Sequence, residues 1–105
     1  MAINLESEAL SNEEYRRILV RGRHLKLTIM SVEDEIPREI HASEDQLLVI
    51  LEGEVNIELY HGQRSRDPYI TASVSSGQAY MVPSNTYHRV VVNNGPVKLF
   101  SVYAH

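Results

Sequence analysis

Glu39 and His41 are the two residues whose types and spacing most directly indicate chemistry in this chain. Side chains two residues apart on a β-strand point to the same face, so this carboxylate and this imidazole can converge on one metal ion. The sequence contains no cysteine, and any metal must therefore be bound by nitrogen and oxygen atoms. The alternative is a solvated surface carboxylate, because Glu39 follows an acidic stretch that includes Glu33, Asp34 and Glu35.

The elements that must hold this pair are short. Most of the sequence after residue 14 alternates between apolar and polar residues, or runs apolar in short pieces that end at turn residues. The pattern predicts nine strands and no long helix, which is typical of an all-β barrel or sandwich. The predicted strands are Tyr15–Val20, Leu25–Val32, Arg38–His41, Gln46–Glu52, Glu54–Tyr60, Tyr69–Val74, Ala79–Pro83, His88–Val92 and Val97–Tyr103.

Two further segments carry local signals. Ser11 and Glu14 have the spacing of a capping box, so a helical turn over residues 11–17 competes with the first predicted strand. Residues 61–68 are polar and contain Gly62 and Pro68, which predicts an exposed hairpin loop between two strands.

Two motifs connect the Glu39 and His41 pair to a known family. The first motif consists of Glu39, His41, Gln46 and Gly53, and the second consists of Gly77, Pro83, Asn85 and His88. Their spacing resembles that of the two metal-binding motifs of the cupins, with Asn85 at a position where the family has glycine. Asn adopts the left-handed backbone more readily than most residues, so we expect the turn to tolerate this replacement.

The resemblance covers about residues 11–105 and is specific to small single-domain cupins described as mannose-6-phosphate isomerase-like. The segments that carry it are EIPREIHASEDQLLVILEGE, VPSNTYHRVVVNNG and KLFSVYAH. It implies an all-β fold, the cupin barrel, which is also called a double-stranded β-helix or jelly roll. It also implies one cupin domain over residues 1–105, with a short lead-in at residues 1–14.

A metal centre is the second implication of the resemblance. Its ligands would be Glu39, His41, Gln46 and His88, and they would hold one divalent Mn, Fe, Ni or Zn ion. The usual cupin set is three histidines and one glutamate, so this set keeps a single carboxylate and adds an amide oxygen. As individual residues, Gln46 could instead cap a strand edge, and His88 could be a hydrogen-bonded histidine at the rim.

The residues around such a centre can be assigned to faces by strand alternation. On the predicted strand Leu25–Val32, the alternate set that begins at Leu25 is the more apolar, so we expect Lys26 to point outward. Arg38 directly precedes Glu39, and Arg89 directly follows His88. Because neighbouring residues on a strand face opposite sides, both arginines should point away from the pocket. Three tyrosines are candidates for lining a substrate pocket, since each offers a ring and a hydroxyl: Tyr80, Tyr87 and Tyr103.

The chemistry of the centre leaves two classes of function open. A bound metal acts as a Lewis acid or activates oxygen, which would make the protein a metal-dependent isomerase, lyase or dioxygenase acting on a small organic or sugar-like molecule. The alternative is a non-catalytic module that binds or senses a small ligand, because the clearest general base, Glu39, is already assigned to the metal. A family resemblance of this kind does not specify the activity.

Composition and charge restrict the partners. The formal net charge of −4 and the absence of a long basic run argue against nucleic acid or an anionic membrane as a partner. No signal pattern and no apolar run near the roughly 20 residues of a membrane helix are present, so we expect a soluble cytoplasmic protein. Sheet edges of a small barrel favour a homodimer, through the first strand and the segment with Val97, Leu99 and Val102.

Overall fold

The computed structural model of the protein describes residues 2–105 and contains one short helix and a seven-stranded antiparallel sheet. The elements are α1 (Leu5–Ser11), β1 (Arg17–Arg21), β2 (Leu25–Val32), β3 (Glu35–Glu39), β4 (Asp45–Tyr60), β5 (Ile70–Ser75), β6 (Ala79–Val82) and β7 (Tyr87–Ala104). The all-β prediction is confirmed. Within these described residues, no helix combines the length and apolar character that a membrane crossing requires.

Strands β4 and β7 are the two longest strands and form the centre of the sheet. The main strand order is β1-β2-β7-β4-β5, while β3 pairs with β7 and β6 pairs with β4. The first part of β7 lies between β3 and the end of β4, and its last part lies between β2 and the start of β4. Because both long strands change neighbours along their length, the sheet wraps around one interior, as in a jelly roll.

The structure has fewer strands than the sequence predicted because two pairs of predicted strands are continuous. The joined pairs are Gln46–Glu52 with Glu54–Tyr60 in β4, and His88–Val92 with Val97–Tyr103 in β7. The register between β4 and β7 shifts repeatedly between Ile50 and Val55, and Gly53 lies inside this region with a φ of 96°. A glycine signals a turn in the sequence, whereas here it lets a strand bend without ending.

Two hydrophobic clusters lie on opposite faces of β2. The interior cluster fills the barrel and includes Met30, Leu48, Ile57 and Leu99, whereas the outer cluster joins Ala9 of α1 to Ile29 and Phe100. Since both faces of β2 are buried, its hydrophobic pattern does not distinguish the inward face from the outward face.

The prediction that Lys26 points outward is therefore wrong. Lys26 shares the face of Met30, which packs inside the barrel, and the Lys26 ammonium lies 4.5 Å from the centroid of the Tyr103 ring. The Leu25 set faces the other way, with Leu27 and Ile29 packed in the outer cluster beneath α1.

The helix lies earlier in the chain than the capping-box spacing predicted. Helix α1 ends at Ser11, and its amino-terminal cap is Asn4, whose Oδ1 accepts a hydrogen bond from the Ser7 N–H at 3.0 Å. Ser11 instead donates its hydroxyl to the Ser7 carbonyl at 2.9 Å. A Ser hydroxyl near a helix end can cap a backbone N–H or, as here, donate to a carbonyl one turn earlier, and Ala9 of the same helix is buried against the sheet.

The structure also revises the predicted dimer contact. Val97 and Leu99 are fully buried in the interior cluster, so they are not available to a partner subunit. The homodimer itself stays a prediction.

Gly53 provides a test of the strand bend. Its positive φ disfavours any L-residue, and a Cβ there would lie 2.7 Å from Val97 Cγ2 and 2.9 Å from the Asn94 carbonyl oxygen. Gly77 has a similar φ of 86° but no neighbour within 4 Å of a Cβ. Backbone strain should cost either alanine variant about 1–3 kcal/mol of unfolding free energy, and steric overlap should make Gly53→Ala the more destabilised in urea denaturation. Equal losses in the two variants would contradict this role for Gly53.

Candidate metal centre

The structure brings Glu39, His41 and His88 together in the barrel. Glu39 is the last residue of β3 and pairs with His88 of β7, and His41 follows two residues later. One possible ligand atom from each residue lies within 4.8 Å of the other two. The sequence predicted a strand over Arg38–His41, but β3 ends at Glu39. His41 lies in the connection between β3 and β4, so strand alternation does not set the direction of its side chain.

Two turns hold this arrangement together. The Asn85 N–H donates to the His41 carbonyl at 2.8 Å, and the Ser84 N–H donates to Asp45 Oδ1 at 2.9 Å. These bonds connect the turn between β3 and β4 to the turn between β6 and β7. Asn85 has a φ of 59°, so the prediction that it adopts the left-handed backbone is confirmed.

Glu39 is the electrostatic centre of the group. Its Oε1 lies 3.3 Å from His41 Nε2 and 3.4 Å from His88 Nε2. Burial acts to raise the pKa of Glu39, but hydrogen bonds and charges from His41 and His88 outweigh it and lower the pKa to about 2. The carboxylate is therefore ionised at neutral pH and supplies the negative charge that a divalent ion requires.

His88 presents one ring nitrogen for binding. Its Nδ1 lies 3.0 Å from the Thr86 carbonyl oxygen, which can only accept a hydrogen bond, so the Nδ1 carries the proton. The Nε2 atom then has a free lone pair. It is buried and lies 3.4 Å from Glu39 Oε1, but an unprotonated Nε2 and a carboxylate oxygen are both acceptors, so in this tautomer Nε2 has no hydrogen-bond partner within residues 2–105. A backbone carbonyl that fixes the tautomer in this way is a common support for a metal-binding histidine.

Gln46, on β4, is buried and is linked to the same group through Tyr103. Its side-chain N–H₂ donates to Ser101 Oγ at 2.7 Å and to the Tyr103 hydroxyl at 3.2 Å. Both partners are hydroxyls, which can donate as well as accept, and in the amide orientation of this structure Oε1 is buried and without a partner in the described part of the chain. The ring of Tyr103 lies 5.0 Å from the ring of His41, centroid to centroid, and connects Gln46 to the other three residues.

The chemistry of the four side chains fits a divalent transition metal. They offer two imidazole nitrogens, one carboxylate oxygen and one amide oxygen, a donor set that Mn, Fe, Ni and Zn accept. Two of these donor atoms, Gln46 Oε1 and His88 Nε2, are buried without a partner. Buried polar atoms are nearly always paired in folded proteins, so these two atoms indicate a ligand.

The three predicted pocket tyrosines lie in different environments. Tyr103 is buried beside His41 and Gln46. Tyr80 packs against the interior hydrophobic cluster, opposite Leu48. Tyr87 pairs with Tyr60 on the outer face, away from His88. Of the three, only Tyr103 contacts the candidate ligands.

Arg38 and Arg89 point away from the centre, as the alternation of side chains along a strand predicted. The Arg38 guanidinium stacks on Tyr60 at 3.5 Å from the ring centroid and donates to the Gly62, Gln63 and Ser65 carbonyls. Arg89 forms ion pairs with Glu35 and Glu58. Both arginines therefore stabilise the outer face.

Sequence reasoning missed the residues that orient the candidate ligands. Ser101 lies two residues before Tyr103 on β7, so strand alternation could have placed it on the same face. Thr86 acts through its backbone carbonyl, for which the sequence carries no signal. Arg16 is exposed, and its guanidinium also donates to the Tyr103 hydroxyl, a contact for which the sequence carries no signal.

Comparison with known proteins agrees with this fold. Residues 26–103 match the cupin domain family, and the chain belongs to this family. The chain is 34% identical to BH2720 from Bacillus halodurans, whose crystal structure superposes with a TM-score of 0.91 and covers 99% of this chain and 80% of that protein. A cupin-2 domain containing protein from Shewanella frigidimarina is 18% identical over 98% of this chain and 94% of that protein, with a TM-score of 0.76, and shows the same fold.

The curated relatives are longer proteins. The uncharacterized protein YrkC of Bacillus subtilis is 31% identical over 97% of this chain, and the match spans 55% of YrkC. The uncharacterized protein L612 of Acanthamoeba polyphaga mimivirus is 28% identical over 97% of this chain, and the match spans 63% of L612. The chain thus spans less than two thirds of the length of either relative.

The lowered pKa of Glu39 predicts a loss of stability in acid. Its ordinary pKa is 4.5 and its pKa in the folded protein is about 2, so its stabilising effect is complete above pH 4.5 and disappears as the pH falls towards 2. Over this interval, metal-free wild-type protein should lose about 2–3 kcal/mol more unfolding free energy than Glu39→Gln. Urea denaturation with a chelator present measures both proteins. A parallel decline would show that Glu39 is not held by the two histidines.

Proposed function

We propose that the protein is a metal-dependent cupin that binds one divalent transition metal through Glu39, His41, Gln46 and His88. The observation that carries the proposal is the pair of buried, unpartnered acceptor atoms, Gln46 Oε1 and His88 Nε2, beside an ionised carboxylate. An ion bonded to both atoms would remove the cost of leaving them unpaired. It would also neutralise the buried charge of Glu39.

A catalytic role on a small organic or sugar-like molecule is the function that we favour for this centre. The metal, when bound, supplies Lewis-acid or oxygen-activating chemistry, as in an isomerase, lyase or dioxygenase. The protein side chains exclude water on the buried side and leave the exposed side open, because His88 and Gln46 are buried whereas Glu39 and His41 are partly exposed. The four side chains do not complete a six-coordinate shell, so positions remain for a substrate. The mannose-6-phosphate isomerase-like subgroup stays a prediction.

A second candidate function is a module that binds a small ligand without turnover. One observation favours it: Glu39, the carboxylate in the group, lies between His41 Nε2 and His88 Nε2, where it would bind the metal, and Glu35 is paired with Arg89. Within the described residues, the centre therefore has no free carboxylate to act as a general base. Metal-loaded protein that binds a small ligand but never converts it would support this alternative.

Metal content tests the proposal directly. After removal of all metal and reconstitution with Mn, Fe, Ni or Zn, wild-type protein should contain a near-stoichiometric amount of one of these metals, measured by plasma mass spectrometry. His41→Ala and His88→Ala each remove one nitrogen ligand and should lose it. The bound metal should also raise unfolding free energy, by about 2.7 kcal/mol when free metal is about 100-fold above its Kd.

The matched control is His61→Ala. His61 is exposed and stacks on Tyr69, outside the candidate centre, so its loss removes a histidine without touching the four side chains. This variant should retain metal as wild type does. Equal metal content in all four proteins, or no binding of any of the metals by wild type, would contradict the proposed centre.

A further inference from the structure

Two cations contact Tyr103 on the inner face of the sheet, next to the candidate metal centre. The Lys26 ammonium lies 4.5 Å above the Tyr103 ring, and the Arg16 guanidinium lies 5.7 Å from the ring centroid and donates to the Tyr103 hydroxyl. The same hydroxyl accepts a hydrogen bond from the Gln46 amide. Arg16 and Lys26 are thus separated from a candidate metal ligand by one side chain.

Neither cation is neutralised by the protein. Within residues 2–105, no carboxylate lies within 4 Å of Arg16 or Lys26, whereas Arg17 and Arg89 do have acidic partners. Arg16 is exposed to solvent, whereas Lys26 is partly buried. A partly buried ammonium beside a polar site usually has a partner, and an aromatic ring replaces only part of the lost hydration.

Arg38 is a cation whose hydrogen bonds are all to the protein itself, and it can be compared with Lys26 and Arg16. It also lies over a tyrosine ring, that of Tyr60, but its guanidinium donates to three backbone carbonyls of the following loop. Lys26 has the ring contact without any protein acceptor among the described residues, and Arg16 donates only to the Tyr103 hydroxyl. The N–H groups of Lys26 and Arg16 therefore remain free to donate to a ligand.

Backbone pairing with β2 brings the residues before β1 to the side of the sheet on which Arg16 contacts Tyr103. The Glu14 carbonyl accepts a hydrogen bond from the Ser31 N–H at 3.1 Å, which extends the pairing of β1 along β2. Burial raises the pKa of the Tyr15 hydroxyl, and the charge of Glu39 raises it further, whereas Arg16 opposes both effects. Arg16 and Glu39 therefore act on the same tyrosine, so residues 15–16 lie within electrostatic range of the candidate ligands.

We propose that Lys26 and Arg16 form an anion-binding subsite, and that the molecule bound at the metal centre carries a carboxylate or a phosphate group. This inference rests on the proposed function, since it names the chemical class of the ligand of that centre. A divalent ion would neutralise Glu39, leaving Lys26 and Arg16 as uncompensated positive charges. An anionic group would pair with both cations through charge-assisted hydrogen bonds, while another oxygen of the same molecule faced the metal.

The test is a calorimetric titration of malonate and of inorganic phosphate into metal-free and zinc-reconstituted protein. Malonate represents a carboxylate ligand, and inorganic phosphate represents a phosphate ligand. The anion that binds with the higher affinity shows which of the two groups the natural ligand carries. Wild-type protein should bind at least one of them. Lys26→Met and Arg16→Gln each remove one cation and should weaken binding about tenfold or more, because a hydrogen bond to a charged group is worth more than 1.4 kcal/mol.

The control is Arg66→Gln, which removes the same charge from an exposed position in the loop between β4 and β5 and should leave anion affinity unchanged. Thermal unfolding verifies that each variant is folded, and the Met side chain retains the apolar stem of Lys26 over Tyr103. The inference is overturned if wild type binds neither anion, or if Lys26→Met and Arg16→Gln bind as tightly as Arg66→Gln. The titration of metal-free protein tests anion binding independently of metal binding. A protein that binds the anion but no metal would contradict only the proposed function.

Discussion

The antiparallel ladder between β4 and β7 is the constraint on which the rest of this structure depends. One end of the ladder places Gln46 opposite Tyr103, and the other end carries His88. β3 then pairs with β7 and places Glu39 beside His88. Gly53 allows β4 to bend between the two ends, so side chains from distant parts of the chain meet inside one barrel. A shift of the ladder by one residue would turn Gln46 and His88 to the outer face.

The polar network around these side chains is unusual for a hydrophobic barrel because it is only partly satisfied. The Thr86 carbonyl fixes the His88 ring with its proton on Nδ1, and the Gln46 amide N–H₂ donates to the Ser101 hydroxyl. The remaining acceptor atoms of the two side chains have no partner in the described chain. A half-satisfied buried network destabilises a protein unless a ligand completes it. The free protein is thus less stable because these acceptor atoms are held in place without a partner, which is the arrangement expected of a binding site.

Much of this site could be predicted from the sequence because its main signals are local. The two-residue spacing identified Glu39 with His41, although β3 ends at Glu39, and the backbone preference of Asn predicted the left-handed Asn85. The orientation of Lys26 could not be predicted, since β2 is buried on both faces and its apolar residues fit either register. The supporting role of Ser101 depends on a pairing between residues 55 positions apart, which no local pattern encodes.

A crystal structure of the metal-reconstituted protein, with anomalous diffraction collected at the absorption edge of that metal, tests the central claim most directly. The account predicts one strong anomalous peak within bonding distance of Glu39, His41, Gln46 Oε1 and His88 Nε2. A peak bound elsewhere, or a map without a peak in which Gln46 Oε1 and His88 Nε2 remain unpartnered, would contradict it.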